Sequence, residues 1–210
     1  MNYSVVITSA GSGTRANLGY NKLLYKINDR ILLAYTVDKF KDAEEIIITA
    51  SKDDLAFLKD YFEENKKIKV VEGSTNREKS VYCGIKECSN DVILIHDGAR
   101  VNVSERLIND IYQGVIELSS NVIPVIKDSF DHHSRTIGDL VVQTPQGFKK
   151  DVLLEAFKKC DEEDNFLSYR DDSSLVYDYQ KTPVSFVLGD EDNFKVTTSE
   201  DISRIEKILK

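Results

Sequence analysis

Tyr3-Ser4-Val5-Val6-Ile7-Thr8 runs, after Ser9, into Ala10-Gly11-Ser12-Gly13-Thr14-Arg15. The first stretch is β-branched and apolar on both faces, the pattern of a parallel strand covered by helices from both sides. The second is a glycine loop at that strand's carboxyl end. Further runs of the same kind recur at Glu45–Ala50, Ile68–Val71, Val92–His96, Val122–Ile126 and Val184–Leu188. Helical stripes lie between them: Leu33, Tyr35, Thr36 and Phe40; Leu55, Leu58 and Phe62; Leu107, Ile108, Ile111, Val115 and Ile116. A last stripe, Ile202, Ile205, Ile208 and Leu209, follows Ser199-Glu200-Asp201, which reads as a capping box. Repeated strand–helix units predict an α/β fold, a mostly parallel twisted sheet with helices on both faces. One domain over residues 1–210 is expected, with a polar arm excursion at 127–143 before a turn at Thr144-Pro145-Gln146. Ligands of open α/β sheets bind outside the carboxyl ends of the strands, where the glycine loop lies.

Composition narrows the partners. The chain has 210 residues, 41% hydrophobic and 30% charged, enough for a core and a charged surface. With 28 basic and 36 acidic side chains the net charge is −8, a poor match for nucleic acid or an anionic membrane surface. No apolar run approaches the roughly 18–20 residues of a membrane span. Met1-Asn2-Tyr3-Ser4 has neither a basic region nor a cleavage site, so no signal peptide and a cytoplasmic location are expected. Cys83, Cys88 and Cys160 are spaced as free thiols, not as a metal or disulfide set.

Gly11 and Gly13 let backbone N–H groups approach an anion, and Arg15 and Lys22 add charge in the same excursion, a combination suited to a triphosphate. Gly11, Gly13 and Ala16 also fit G-x-G-x-x-A of dinucleotide folds. That motif should open a helix and be followed about 20 residues on by an acidic strand end. Here Asn17-Leu18-Gly19-Tyr20-Asn21 is loop-like, and the second strand ends Ala50-Ser51-Lys52. A Walker loop fails for want of Gly-Lys-Ser/Thr. A plain glycine turn leaves Arg15 and Lys22 unexplained.

Further blocks join this one in order. Gly73, Arg77, Ser80-Val81 and Gly84-Ile85 fit G-x-x-x-R-x-x-S-V-x-x-G-L/I, and His96-Asp97-Gly98-Ala99-Arg100 fits H-D-A/G-A-R. Gln143-Thr144-Pro145-Gln146-Gly147-Phe148 and Asp192-Asn193-Phe194-Lys195-Val196-Thr197 fit Q-T-P-Q-x-F and D-N-x-K-V/I-T. Together they resemble the 2-C-methyl-D-erythritol 4-phosphate cytidylyltransferases, nucleotidyltransferases of the non-mevalonate isoprenoid pathway with a glycosyltransferase-A-like fold. The resemblance implies transfer of CMP from CTP to a polyol phosphate with loss of pyrophosphate. Ribitol-5-phosphate is the alternative acceptor, and a non-catalytic CTP-binding paralogue the alternative of another class.

The resemblance also implies roles. Arg15, Lys22, Lys195 and Arg135 form the catalytic set: Arg15 and Lys22 stabilise charge on the α-phosphate and pyrophosphate, and Lys195 positions the acceptor phosphate. Ala10, Gly11, Ser12, Gly13, Gly73, Arg77, Ser80, Asp97 and Ala99 fall to CTP, and Arg100, Thr144 and Arg170 to the acceptor. Such chemistry implies Mg²⁺ or another divalent cation, for which Asp97 and Asp192 are the candidate carboxylates. His96 reads as a packed strand residue, and His132 and His133, alternating in direction along an extended chain, do not form one metal site.

The chain departs from the pattern at four places. Asn21 and Val101 replace prolines, and Arg170 stands where a Thr is usual. The arm is short, with Thr136 at the position of the usual arm Arg, so Arg135 is the candidate substitute. The family's arm-exchanged homodimer is the expected assembly, weakened by that short arm.

Overall fold

The computed structural model describes residues 1–10, 19–74, 76–127 and 136–209. The strands are β1 Ser4–Thr8, β2 Lys26–Ile27, β3 Arg30–Ile31, β4 Glu45–Ala50, β5 Ile68–Glu72, β6 Val92–Asp97, β7 Asn121–Lys127, β8 Thr136–Ile137, β9 Leu140–Val142, β10 Gln146–Lys149 and β11 Ser185–Leu188. The helices are α1 Leu32–Lys39, α2 Leu55–Tyr61, α3 Arg77–Ile85, α4 Glu105–Glu117, α5 Lys150–Glu162, α6 Asp172–Gln180 and α7 Ser199–Ile208. Short 3-10 turns cover Lys22–Leu24 and Phe166–Ser168.

The main sheet runs β5-β4-β1-β6-β10-β7-β9-β8, with β11 on the other side of β7. The first four strands are parallel. Alternate residues of β1 enter two cores. Val5 and Ile7 face one packed with Leu33, Leu107, Ile111, Ile202 and Ile205, from α1, α4 and α7. Val6 faces another with Val81, Phe157 and Leu175, from α3, α5 and α6. The mostly parallel α/β reading holds, and the two-sided apolar strands are its cause.

Three local expectations change. The turn at Thr144-Pro145-Gln146 instead launches β10, a central strand antiparallel to both β6 and β7. Its Gly147 is required: a Cβ there would lie 2.5 Å from Cγ2 of Ile111 and 2.7 Å from Cγ2 of Val115, because α4 packs directly on the strand. The carboxyl part of the arm also belongs to the sheet, with Leu140, Val141 and Val142 pairing with β7. The capping box of α7 begins one residue early, Thr198 and Asp201 exchanging side-chain and backbone bonds. Arg135, His132 and His133 lie outside the described residues, as do Gly11, Ser12, Gly13 and Arg15.

Candidate active site

The carboxyl ends of β1, β4, β5 and β6 converge. Gly73 follows β5 and donates its N–H to the carbonyl of Ala50 at 2.7 Å. A Cβ on Gly73 would lie 2.9 Å from Ser80 Oγ and 3.2 Å from the Ala10 Cβ, so these three residues form one notch. Ser80 sits one turn into α3, whose N-cap is Asn76. Its hydroxyl accepts from the Ser74 N–H at 2.9 Å and donates to Asn76 O at 2.7 Å. Local backbone bonding thus fixes the notch wall.

Beside the notch stands a chain of charges. Arg77, at the first turn of α3, lays its guanidinium fork on Asp172, Nη1 to Oδ1 at 3.0 Å and Nη2 to Oδ2 at 2.8 Å. Its Nε donates to Asp97 Oδ1 at 3.1 Å. Lys195 Nζ donates to the other oxygen of Asp97 at 2.8 Å. Lys195 is set there because the next residue, Val196, donates its N–H to Ala99 O at 2.9 Å.

Burial alone would raise the Asp97 carboxyl, but Lys195, Arg77 and Arg100 together hold it well below the usual carboxylate range. Asp172 is fully enclosed, and that burial pushes its carboxyl up against the opposing pull of Arg77. Burial disfavours the charge on Arg77, yet Asp172 and Asp97 keep it firmly protonated. Sequence reasoning missed Asp172. It sits in the R-D-D-S-S segment two residues after Arg170, which is exposed before α6.

The Q-T-P-Q and D-N-F-K-V-T blocks brace this cluster. Thr144 Oγ1 accepts the Asp97 N–H at 3.1 Å and lies 3.1 Å from His96 Nδ1. Arg100 O, 2.9 Å from His96 Nε2, can only accept, so Nε2 carries the proton and the Thr144 hydroxyl donates to Nδ1. Burial lowers the His96 pKa to about 4, so the ring is neutral. Gln143 Oε1 accepts from the Asp190 N–H at 3.0 Å, and Asn193 Nδ2 donates to Thr144 O at 2.8 Å. Gln146 Oε1 accepts from the Ser173 N–H at 2.9 Å, tying β10 to the start of α6.

Several of the expected ligands are engaged within the fold itself. Thr144 is 5% exposed with its hydroxyl engaged on both sides, so it braces β6. Arg100 is 2% exposed, donates to Asn193 O at 2.7 Å and lies 3.8 Å from Asp97, which makes it a buried strut. Ala99 is buried and contributes its carbonyl to Val196. Asp192 lies on the surface, 3.7 Å from Arg204, apart from the Asp97 cluster's ion pairs. Both oxygens of Asp97 are taken by cations, and among the described residues no group of three His, Cys, Asp or Glu gathers for a metal. The expected carboxylate pair does not fit a divalent ion held by the protein alone.

Lys22 opens its 3-10 turn with Asn21 as cap. The next residue, Leu23, is buried against Gly98, where an added Cβ would meet Leu23 Cδ1 at 2.9 Å. The turn is thus packed beside the end of β6.

This geometry has relatives. A chain from Clostridioides difficile strain 630 named 2-C-methyl-D-erythritol 4-phosphate cytidylyltransferase is 32% identical, over 99% of this chain and 93% of the relative. One of the same name from Caldanaerobacter subterraneus is 33% identical over the full length of both. The crystal structure of 4-diphosphocytidyl-2C-methyl-D-erythritol synthase from Anaerococcus prevotii superposes with a TM-score of 0.79 at 30% identity, covering 99% of this chain and 95% of that one. The Thermus thermophilus 2-C-methyl-D-erythritol 4-phosphate cytidylyltransferase gives 0.79 at 27% identity, covering 99% and 98%. The family model described as IspD, 2-C-methyl-D-erythritol 4-phosphate cytidylyltransferase, matches residues 3–210, and the chain belongs to that family.

Proposed function

We propose that the chain transfers CMP from CTP to the phosphate of 2-C-methyl-D-erythritol 4-phosphate and releases pyrophosphate, a step of non-mevalonate isoprenoid biosynthesis. The observation that carries this reading is Lys195 held on Asp97 beside the Gly73–Ala10–Ser80 notch. A cation fixed at 2.8 Å on an ionised carboxylate is a preorganised hydrogen-bond donor for a phosphate. The notch takes the cytosine and ribose, where a missing Cβ lets a flat base approach the backbone. Lys22 and Arg15 meet the charge that develops on the α-phosphate and the leaving pyrophosphate. Lys195 orients the acceptor phosphate for in-line attack. Its pairing with Asp97 restrains the ammonium until substrate arrives. Little covalent protein chemistry is asked for, since positioning and charge stabilisation dominate phosphoryl-type transfers.

A divalent cation enters this reading with the triphosphate, held mainly by phosphate oxygens as Mg²⁺ commonly is. Arg77 acts as the holder of Asp97 and not as a direct CTP ligand, because its fork is filled by Asp172. The relatives described above carry the methylerythritol name, so ribitol phosphate and the non-catalytic paralogue are set aside. Among the described residues no helix is long and apolar enough to cross a membrane. A cytoplasmic site of action and an arm-joined homodimer complete the reading, and sedimentation of the active enzyme tests the latter.

The primary test is pyrophosphate release from CTP with methylerythritol phosphate, run beside ribitol-5-phosphate and with ATP, GTP and UTP. Release confined to CTP and methylerythritol phosphate is expected. Release with ribitol phosphate alone would move the acceptor, and silence with both in a CTP-binding protein would sink catalysis.

A further inference from the structure

Asn21 is 7% exposed, and both polar atoms of its side chain are engaged. Its Oδ1 accepts from the Leu23 N–H at 3.1 Å, capping the 3-10 turn that carries Lys22. Its Nδ2 donates to Ser9 O at 2.8 Å and to Asp54 Oδ2 at 2.8 Å. Asp54 is itself held by the Ser51 hydroxyl at 2.8 Å. Ser9 is joined to β4 through its N–H and hydroxyl, both on Thr49 O, at 2.9 and 3.0 Å. One amide thus ties together the exit of β1, the loop after β4 and the turn of Lys22. A proline, which the resemblance expects at this position, offers none of these donors or acceptors.

We propose that Asn21 and Asp54 are positioning residues for Lys22: through the amide–carboxylate staple they fix the turn, and hence the Lys22 ammonium, relative to the strand ends that bind CTP. This rests on the reading of Lys22 as a phosphate-stabilising cation. The physical basis is direct. A 3-10 turn of three residues has no stability of its own, so its orientation is set by what is bonded to it. Leu23 anchors its apolar side against Gly98, and Asn21 anchors its polar side. With the second anchor gone, the turn pivots about the first. A shift on the order of 1 Å of a catalytic group can reduce rate by about a hundredfold.

The test uses the full chain, with CTP and methylerythritol phosphate as substrates. Asn21→Ser keeps a capping oxygen but removes both amide donors; Asp54→Ala removes the far end of the staple. Each is expected to lower kcat/KM for CTP by about ten- to a hundredfold. The KM of the acceptor is expected to stay unchanged and the protein to remain folded. The exchange Asn21→Asp with Asp54→Asn returns one donor to the pair with reversed polarity and is expected to recover part of the loss. Lys22→Ala is measured alongside. If Lys22→Ala is crippled while folded Asn21→Ser and Asp54→Ala turn over like the parent, the positioning role is overturned and the Lys22 reading stands. If Lys22→Ala is itself unimpaired, the Lys22 reading falls and this proposal with it. If both staple variants fail to fold, the network is structural only and the proposal is overturned; equal losses for CTP and acceptor overturn it as well.

Discussion

Replacing Asp172 with Asn measures how much the buried end of the charge chain contributes. The carboxylate is wholly enclosed and accepts two N–H bonds from one guanidinium, at 3.0 and 2.8 Å. Asn preserves the volume and one acceptor but removes the charge and turns an N–H₂ toward Arg77. Removing one partner of a buried ion pair costs about 3–5 kcal/mol, because the other charge is left uncompensated. Two features place Asp172→Asn at the low end. Arg77 keeps its bond to Asp97, and its side chain is 24% exposed, so water reaches it. A loss of about 3 kcal/mol is expected, which for a chain of this size is a melting decrease of roughly 6–12 °C. The freed guanidinium then shifts onto Asp97 in competition with Lys195, and kcat is expected to fall about tenfold. Scanning calorimetry with steady-state kinetics reads both. The refuting result is a melting point within about 2 °C of the parent. Full additivity of Asp172→Asn with Arg77→Met in a double-mutant cycle would refute it equally, since residues in one ion-pair network must couple.

Thr144→Val removes the acceptor of the Asp97 N–H and is expected to cost about 1–3 kcal/mol in stability with the acceptor KM unchanged. A raised KM at an unchanged melting point would return Thr144 to the acceptor site. Gly73→Ala places a methyl 2.9 Å from Ser80 Oγ and is expected to raise the CTP KM about tenfold with little change in the acceptor KM, as measured by initial rates. His96 titrates at about 4 in the fold against an ordinary 6.5, so the unfolded chain takes up its proton first as pH falls. Its contribution is complete above pH 6.5 and is lost as pH falls toward about 4, some 3 kcal/mol in all. Chemical denaturation across that window is expected to show a shallower decline for His96→Asn, whose amide gains no proton.

The parallel half of the sheet was legible because its strands are buried on both faces and announce themselves as β-branched runs. β10 was not. It has a strand on each side and a helix pressed on Gly147, so its sequence, Gln-Gly-Phe-Lys, shows neither alternation nor an apolar run. The site's location followed from the motifs, since Gly73, Ser80, Asp97 and Lys195 gather where the carboxyl ends of the strands meet. Which of the motif residues are buried did not follow. Arg100 and Thr144 belong to the same motifs as Asp97, and only the packing reveals that they point inward. Arginine is seldom fully buried without partners, and here the partners, Asn193 and Asp97, come from distant and adjacent chain alike. Asp172 lies 95 residues from Arg77, and nothing in the sequence tells which of Asp171 and Asp172 faces the core.

The late arrival of β10 shapes how the chain is made. In synthesis order, β1, β4, β5 and β6 emerge and can pair before residue 146 leaves the ribosome. Until then β6, buried throughout in the finished fold, presents one bare edge of Val92 to Asp97. That edge is long and apolar, and natural sheets ordinarily shield such edges from other chains. The strand that covers it, β10, starts two residues after Thr144, the brace to Asp97. Sealing the nascent sheet against association therefore precedes completion of the active site, because Asp172 and Lys195 emerge only after β10. A chain truncated before Gln146 forfeits both at once, and its first visible defect is aggregation.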